Sequence, residues 1–344
     1  MRPAQLSIIL DREFLGAQEG SHTPVMLWGP PGVGKSQIVA QVAKKHGAPM
    51  IDIRLSQMEP SDLRGIPYRD GNRVEWAVPA MLPDEARHGK SGILFLDEIT
   101  SAPPAVSAAA YQLILDRRLG EYFLPEGWAI FAAGNRMGDR GVTYLMPSPL
   151  ANRFSHFELE ANLEDWVSWA YRSGIDERLV GFLRFRPELL FEYDPARNPV
   201  AFPTPRSWEF ANRALAKFDR TNLLLSALQS CVGPAAGLEM HAFVMNLEKM
   251  PDLDAILKGE KVAVPEEIDI QYATASALVG RAIRAKNQPE VLGRILDYAL
   301  RFPLREMGVM LVSDLHRAVG SALFAVPQFS KWASAVTDLM LDGN

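Results

Sequence analysis

The chain has 344 residues, with 36 Lys and Arg against 41 Asp and Glu, so its formal net charge is −5. This length predicts about two domains, and a composition of 48% hydrophobic and 22% charged residues excludes wholesale disorder. The acidic balance disfavours a general polyphosphate-binding surface. A single cysteine, Cys231, excludes an internal disulfide, and the six scattered histidines lack zinc-ligand spacing.

Membrane insertion and export are both disfavoured by the placement of charges. Charged residues interrupt every apolar run before it reaches membrane-spanning length. Asp11, Arg12 and Glu13 interrupt the N-terminal segment before a signal-peptide core is complete. The pattern predicts a soluble, cytoplasmic protein.

The first half of the chain alternates short apolar segments with helical ones. Strands are predicted over 24–28, 50–55, 93–96, 128–133 and 154–159. Helices are predicted from Lys35 to Gly47 and from Pro103 to Gly120. The last strand alternates in polarity, which indicates an edge position. Strands that alternate with helices predict a parallel sheet covered on both faces.

From about residue 160 the pattern becomes helical, with almost no strand signal. Asn162 to Asp165 resembles a capping box that opens a helix. Proline-rich connectors are predicted over 194–205 and 251–265, and helical periodicity over 267–285, 289–302 and 328–341. The sequence therefore predicts an α/β core followed by an all-helical region.

The segment after the first strand is a candidate phosphate-binding loop. Residues 29–36 read GPPGVGKS and fit the pattern G-x-x-x-x-G-K-[ST]. Glycines let backbone N–H groups turn toward a phosphate, and the following helix adds the positive end of its dipole. Lys35 would contact the β- and γ-phosphates, and the Ser36 hydroxyl would bind Mg²⁺. The predicted ATP-binding residues are Gly29, Pro30, Pro31, Gly32, Val33, Gly34, Lys35, Ser36 and Gln37.

Polar residues also follow two later strands. Asp97 and Glu98 end an apolar strand, at the edge where a parallel sheet places ligand groups. Asp97 would complete the Mg²⁺ shell, and Glu98 would orient and polarise the attacking water. Asn135 ends the fourth strand, where it would hold the water or the γ-phosphate; a turn-forming role after Gly134 is the alternative.

Two arginines lie at predicted element ends. Arg153 precedes the fifth strand, where it could reach the γ-phosphate of a neighbouring subunit. Arg206 lies at the start of a helix in the second region. On sequence alone, a surface ion pair remains the alternative for each.

In this order, the motifs resemble the MoxR branch of the AAA+ ATPases. The resemblance is carried by 29–36, 60–65, 98–104, 132–135 and 149–154, and it is strongest over 24–160. It implies a P-loop AAA+ core with a five-stranded parallel sheet over 1–160, an α-helical lid over 161–230 and a helical C-terminal extension over 231–344. Ser36 stands where Thr is commoner, and it supplies the same hydroxyl.

The resemblance also implies residue roles. Glu98 would be the catalytic glutamate that activates the water, and Asn135 would be sensor 1. Arg153 would be the arginine finger that acts on the next subunit, and Arg206 would be sensor 2, which contacts the γ-phosphate in cis. Arg140 is a weaker second candidate for an inter-subunit contact.

At the level of the assembly, the resemblance implies a hexameric ring that hydrolyses ATP with Mg²⁺ between subunits. Such a ring would remodel or mature a client protein, with a partner that bears a von Willebrand factor A domain. The branch carries an insertion that fits 64–80 here, two extended arms about an Asp70-Gly71 turn. Tyr68, Trp76 and Met81 would face a client, although Trp76 could equally pack on its own domain. A second short hairpin is predicted over 119–128.

Three other function classes remain as alternatives. A P-loop kinase accounts for the phosphate loop but not for Glu98 beside Asp97. A nucleic-acid-associated AAA+ motor is disfavoured by the acidic balance and by the lack of an aromatic-basic groove motif. A scaffold that binds ATP without turnover is disfavoured because Lys35, Asp97, Glu98 and Arg153 are all present.

Overall fold

The computed structural model describes residues 1–136, 138–139, 144–194 and 200–341, the last five of these by their backbone alone. The chain divides into two compact units, Met1–Ala161 and Asn162–Asn344. The predicted further division into a lid and an extension near residue 230 stays a prediction.

The first unit alternates helices and strands. In chain order its elements are α1 (Pro3–Gln18), β1 (Val25–Trp28), α2 (Lys35–Lys45), β2 (Met50–Arg54), α3 (Pro60–Arg64), β3 (Ile66–Asp70), β4 (Arg73–Ala77), α4 (Glu85–His88), β5 (Ser91–Asp97), α5 (Pro104–Asp116), β6 (Arg118–Leu119), β7 (Tyr122–Phe123), β8 (Gly127–Gly134), α6 (Ser148–Ala151) and β9 (Ser155–Glu158). Two 3₁₀ turns, Leu55–Gln57 and Ile99–Ser101, follow β2 and β5.

The central sheet has five parallel strands in the order β2-β5-β8-β1-β9. The predicted five-stranded parallel sheet is confirmed, and β9 lies at an edge as its alternating pattern indicates. This order puts the carboxyl ends of β1, β5 and β8 side by side. Groups that follow these three strands therefore meet at one end of the sheet, where the carboxyl ends of the strands lie.

Helices cover both faces of the sheet because successive residues of each buried strand point to opposite sides. Leu94 and Leu96 belong to one hydrophobic cluster, together with residues of α5. Ile93 and Phe95 belong to the other cluster, together with residues of α1 and α2. The sheet is thus held between two apolar layers, which fixes the edge that carries the polar groups.

Two hairpins project from this unit. Strands β3 and β4 pair antiparallel, and Gly71 in the turn has φ 59°, a left-handed conformation that glycine adopts without strain. Tyr68 and Trp76 are 48% and 41% exposed, and their contact with a client stays a prediction. Met81 instead packs partly buried against the sheet's hydrophobic cluster. The second hairpin, β6–β7, is shorter than predicted because the chain from Gly127 onward joins the central sheet as β8.

The second unit is helical, and its described residues form no strand. Its helices are α7 (Leu163–Arg172), α8 (Glu177–Phe185), α9 (Pro205–Phe218), α10 (Leu224–Val232), α11 (Pro234–Asn246), α12 (Leu253–Lys258), α13 (Ile268–Arg284), α14 (Pro289–Ala299), α15 (Arg305–Val319) and α16 (Pro327–Leu341). Asn162 caps α7 by accepting from the Asp165 N–H at 3.1 Å. The predicted connector over 251–265 contains α12, because Asp252 caps a short helix there.

Close packing holds the second unit together. A Cβ atom at Gly181 in α8 would lie 3.1 Å from the Cα atom of Ala273 in α13, so glycine permits the two helices to approach. Arg184 of α8 and Asp314 of α15 form a buried ion pair, with Nε donating to Oδ2 at 3.0 Å. Among the described helices, none is by itself both long and apolar enough to cross a membrane, while one bent pair, Arg305–Ala325 with Pro327–Val336, passes that test of length and composition together.

Candidate nucleotide-binding site

The phosphate loop connects the end of β1 to the start of α2. Gly29, Gly32 and Gly34 have φ angles of 155°, 80° and 108°, which residues with a Cβ atom rarely adopt. At Gly29, a Cβ atom would also lie 2.8 Å from the carbonyl oxygen of Leu159. Glycine is therefore required at this turn, and the loop leads directly into the N-terminus of α2, where the helix dipole favours an anion.

Lys35 is the first residue of α2, at the end of the loop, and is 9% exposed. Its Nζ atom donates to the carbonyl oxygens of Gly29 and Pro30 at 2.6 and 3.1 Å. It also donates to Asn135 Oδ1 at 3.1 Å. The structure thus brings Asn135, from the end of β8, to the phosphate loop from a distant part of the chain.

Ser36 and Asp97 meet at the same edge. The Ser36 hydroxyl donates to Asp97 Oδ2 at 3.1 Å, and the other carboxylate oxygen of Asp97 accepts from the Glu98 N–H at 2.9 Å. A hydroxyl and a carboxylate are oxygen ligands of the kind that Mg²⁺ prefers. This donor set fits the predicted metal site.

Glu98 has an unusual backbone and a partner that the sequence analysis missed. Its φ is 57°, the left-handed region that costs a residue with a Cβ atom energy and that often marks functional positions. Ser56, in the turn after β2, donates its hydroxyl hydrogen to Glu98 Oε2. Only the sheet order, which places β2 beside β5, brings Ser56 to this carboxylate.

Asp52 is a second missed residue. It lies on β2 opposite Phe95, and burial raises the pKa of its carboxyl group. The negative charges of Asp97 and Glu98 raise the pKa further, while Arg54 lowers it. Such crowding of carboxylates, which a divalent cation would relieve, supports the fit of Mg²⁺ to this edge.

Thr100 is a third missed residue, and it orients Asn135. Its Oγ1 atom accepts from the Asn135 N–H at 3.2 Å, and the side chain is 4% exposed. A Cβ atom at Gly134 would lie 2.7 Å from the Thr100 side chain, so glycine allows this approach. The contact fixes the backbone at Asn135 while its side chain accepts from Lys35.

Arg153 lies at the amino ends of the strands, the end of the sheet opposite the phosphate loop. In the parallel β1–β9 pair, Val25 is opposite Ser155 and Trp28 is opposite Glu158. Arg153 therefore lies before the start of β9, whereas the phosphate loop follows the end of β1. Three residue steps of about 3.3 Å separate the two ends of β1 (Val25–Trp28), roughly 10 Å. Arg153 is exposed and forms no ion pair with another described residue.

The remaining predicted residues lie elsewhere. Arg206 is in the second unit, exposed in the first turn of α9, whose N-cap is Thr204. Arg140 lies outside the described residues. The structure thus assembles Lys35, Ser36, Asp97 and Asn135 in the first unit, and the catalytic roles of Glu98, Arg153 and Arg206 stay predictions.

A parallel sheet with this strand order and phosphate loop defines a P-loop nucleotide-binding domain. Residues 24–154 match the family model of the AAA domain (dynein-related subfamily).

The chain is also similar to three curated proteins. Midasin of Giardia intestinalis is 30% identical over 155 residues, 42% of this chain and 3% of midasin. NorQ of Paracoccus denitrificans (strain Pd 1222) is 26% identical over 178 residues, 49% of this chain and 65% of NorQ. CbbQ of Hydrogenophilus thermoluteolus is 32% identical over 108 residues, 31% of this chain and 39% of CbbQ. The matches span less than two thirds of each relative.

NorQ and CbbQ are MoxR-family AAA+ ATPases. The predicted resemblance to this family is therefore confirmed: the chain is similar to NorQ and CbbQ, and residues 24–154 of its first unit match the AAA domain family.

Proposed function

We propose that this protein hydrolyses ATP with Mg²⁺ at sites between the subunits of a ring, and that the ring remodels or matures a client protein. The placement of Arg153 carries the proposal. It lies at the amino ends of the strands, opposite the phosphate loop of its own chain. Its side chain is exposed and forms no ion pair with another described residue. An arginine so placed is available to the nucleotide of a second copy.

Each residue of the site has a chemical role in this proposal. The phosphate loop and Lys35 bind the β- and γ-phosphates, and Ser36 with Asp97 holds Mg²⁺, which supplies charge neutralisation when bound. Glu98 orients the attacking water and accepts its proton. Asn135, which accepts from Lys35, holds the water or the γ-phosphate.

In this proposal two arginines that do not lie beside the phosphate loop, Arg153 and Arg206, also belong to the site. An arginine finger stabilises the charge that develops as the phosphoryl group is transferred, and its loss is worth about 10³–10⁵ in rate. A subunit without a neighbour is then nearly inert, and assembly controls turnover. Arg206 has the sensor 2 role in cis that the likeness to MoxR-type proteins implies.

The hexameric state, the partner with a von Willebrand factor A domain and the cytoplasmic location rest on the likeness to MoxR-type proteins. The exposed aromatic residues Tyr68 and Trp76 on the β3–β4 hairpin support client contact. An unpartnered two-stranded hairpin has little stability of its own, so a surface that packs against it stabilises it.

A trapped ring tests the proposal. We expect Glu98→Gln to keep ATP binding, abolish turnover and retain a client protein during purification with ATP. Lys35→Ala is the matched control, because it loses phosphate binding and retains no client. Recovery of nucleic acid instead of protein would favour the nucleic-acid motor, and unchanged hydrolysis in Glu98→Gln would remove Glu98 from its role.

A further inference from the structure

His156 lies on β9, the strand at the edge of the sheet. It links the carboxyl end of β1, where the phosphate loop begins, to the segment before β9 that carries Arg153. Trp28, the residue directly before Gly29, donates from its indole Nε1 to His156 Nδ1 at 2.9 Å. The two rings are also stacked, with centroids 6.0 Å apart and an interplanar angle of 18°. His156 is thereby tied to the strand end that enters the phosphate loop.

The second ring nitrogen of His156 holds the segment that precedes Arg153. An indole N–H is a donor only, so Nδ1 must accept, and in the neutral ring the proton then lies on Nε2. Nε2 donates to the carbonyl oxygen of Ala151 at 2.8 Å. Ala151 is the last residue of α6, two positions before Arg153.

The turn around Arg153 has a second tie to the same carbonyl group. The Phe154 N–H donates to the Ala151 oxygen at 3.2 Å, so both lone pairs of this oxygen are used. The Phe154 ring meets the His156 ring edge-on, with centroids 6.1 Å apart. His156 therefore contacts the residues on both sides of the Arg153 turn.

We infer that His156 is a positioning residue that sets where a subunit presents Arg153 to its neighbour, and that it does so by tying the Arg153 turn to the strand entering the phosphate loop. The inference rests on the proposed action of Arg153 in trans. The side chain of Arg153 forms no ion pair with another described residue, so its backbone turn determines its position. The same link couples the conformation of one subunit's phosphate loop to the arginine that it offers.

Mixed rings test this separately from the proposed function. Lys35→Ala subunits have an inactive site but still offer Arg153, and Arg153→Ala subunits have an intact site but offer no arginine. We expect a 1:1 mixture to hydrolyse ATP above the level of either protein alone. A mixture without added activity would refute action in trans itself, and with it the proposed function.

If the parent mixture is active, His156→Ala is added to one kind of subunit at a time, and the two losses of activity are compared. In the Lys35→Ala subunit, which offers the arginine, we expect a loss of about tenfold, the size of one misplaced hydrogen-bonded contact. In the Arg153→Ala subunit, which offers none, we expect a change of less than about twofold. Equal losses in both positions would show general support of the fold, and no loss in either would show that His156 positions nothing; each result overturns the inference.

A second variant keeps the test independent of the histidine ring. Trp28→Phe keeps an aromatic ring at this position and removes the N–H donor together with one ring of the indole. Placed in the Lys35→Ala subunit, whose own site is already inactive, it should lower the mixed activity in the same direction as His156→Ala. Sedimentation velocity verifies that all mixtures assemble equally. Full activity of the Trp28→Phe mixture would contradict the link to the phosphate-loop strand.

Discussion

The two units of this protein use charged side chains in opposite ways. In the first unit, Asp52, Asp97 and Glu98 crowd together at an accessible sheet edge, and their mutual repulsion helps to raise the pKa of Asp52. In the second unit, the Arg184 and Asp314 side chains are 5% and 2% exposed and neutralise each other. Unbalanced charge at an open edge favours a ligand of opposite charge, whereas balanced buried charge stabilises a fold.

The buried Arg184–Asp314 pair belongs to a cluster of four charged residues whose other two members, Glu164 and Arg317, are partly exposed. Glu164 accepts from Arg184 Nη2 at 3.0 Å, and Asp314 accepts from Arg317 Nη1 at 2.8 Å. Burial holds the pKa of Asp314 above its ordinary value, and the charge of Arg184 offsets only part of this rise. Two cations and two anions leave no net charge. The cluster therefore holds α7, α8 and α15 together.

The largest expected effect is that of Arg153→Ala. We expect ATP hydrolysis to fall by about 10³–10⁵, because the variant loses the charge that stabilises the transferred phosphoryl group. Nucleotide affinity, measured by fluorescent-ATP titration, should change little. Arg12→Ala is the matched control, since Arg12 is another exposed arginine of the first unit. A variant with near-normal turnover would show that Arg153 has no catalytic role.

Asp314→Ala tests the second unit. Removing one partner leaves the Arg184 guanidinium buried with less compensation, so we expect a loss of about 3 kcal/mol in the free energy of unfolding. Urea denaturation measures it. Asp254→Ala breaks an exposed pair with Arg281 and should cost less than about 1 kcal/mol. If Asp314→Ala left stability unchanged and abolished ATP hydrolysis, the contrast between the two units would fail.

Ser56→Ala removes the hydroxyl that orients the Glu98 carboxylate. We expect kcat to fall about tenfold, the equivalent of one hydrogen bond, with the KM for ATP unchanged. Ser61→Ala in the nearby helix α3 is the control, because Ser61 is exposed. A raised KM with normal kcat would assign Ser56 to nucleotide binding instead.

Asp52→Asn should give the smallest effect, a change in the free energy of unfolding. Its pH dependence tests whether the carboxylates of the first unit repel one another. The folded-state pKa of Asp52 lies above its ordinary value of 3.8, so the folded state binds more protons than the unfolded state between the two values. Ionised Asp52 therefore destabilises the nucleotide-free fold at neutral pH. We expect Asp52→Asn to raise the free energy of unfolding by under about 1 kcal/mol at pH 7, with the gain lost below pH 3.8. A loss of stability at pH 7 would contradict the crowding of carboxylates.

Sequence reasoning predicted the parts of the site that depend on local pattern. The phosphate loop needs glycines, a lysine and a hydroxyl at fixed spacing, because one turn of backbone and one helix start form it. The five apolar strands and the acids that follow the third were visible for the same reason. Hydrophobic periodicity also located β9 at an edge and the change to helices near residue 160.

The tertiary structure alone decided which residues support those parts. Ser56 and Asp52 reach the site because β2 pairs with β5, and Thr100 reaches Asn135 because β5 pairs with β8. His156 meets Trp28 because β9 pairs with β1. Pairing between distant strands depends on how apolar faces pack, and no local spacing encodes it. The sequence by itself determined which polar residues follow the strands of the sheet, and the strand order determined which side chains contact them.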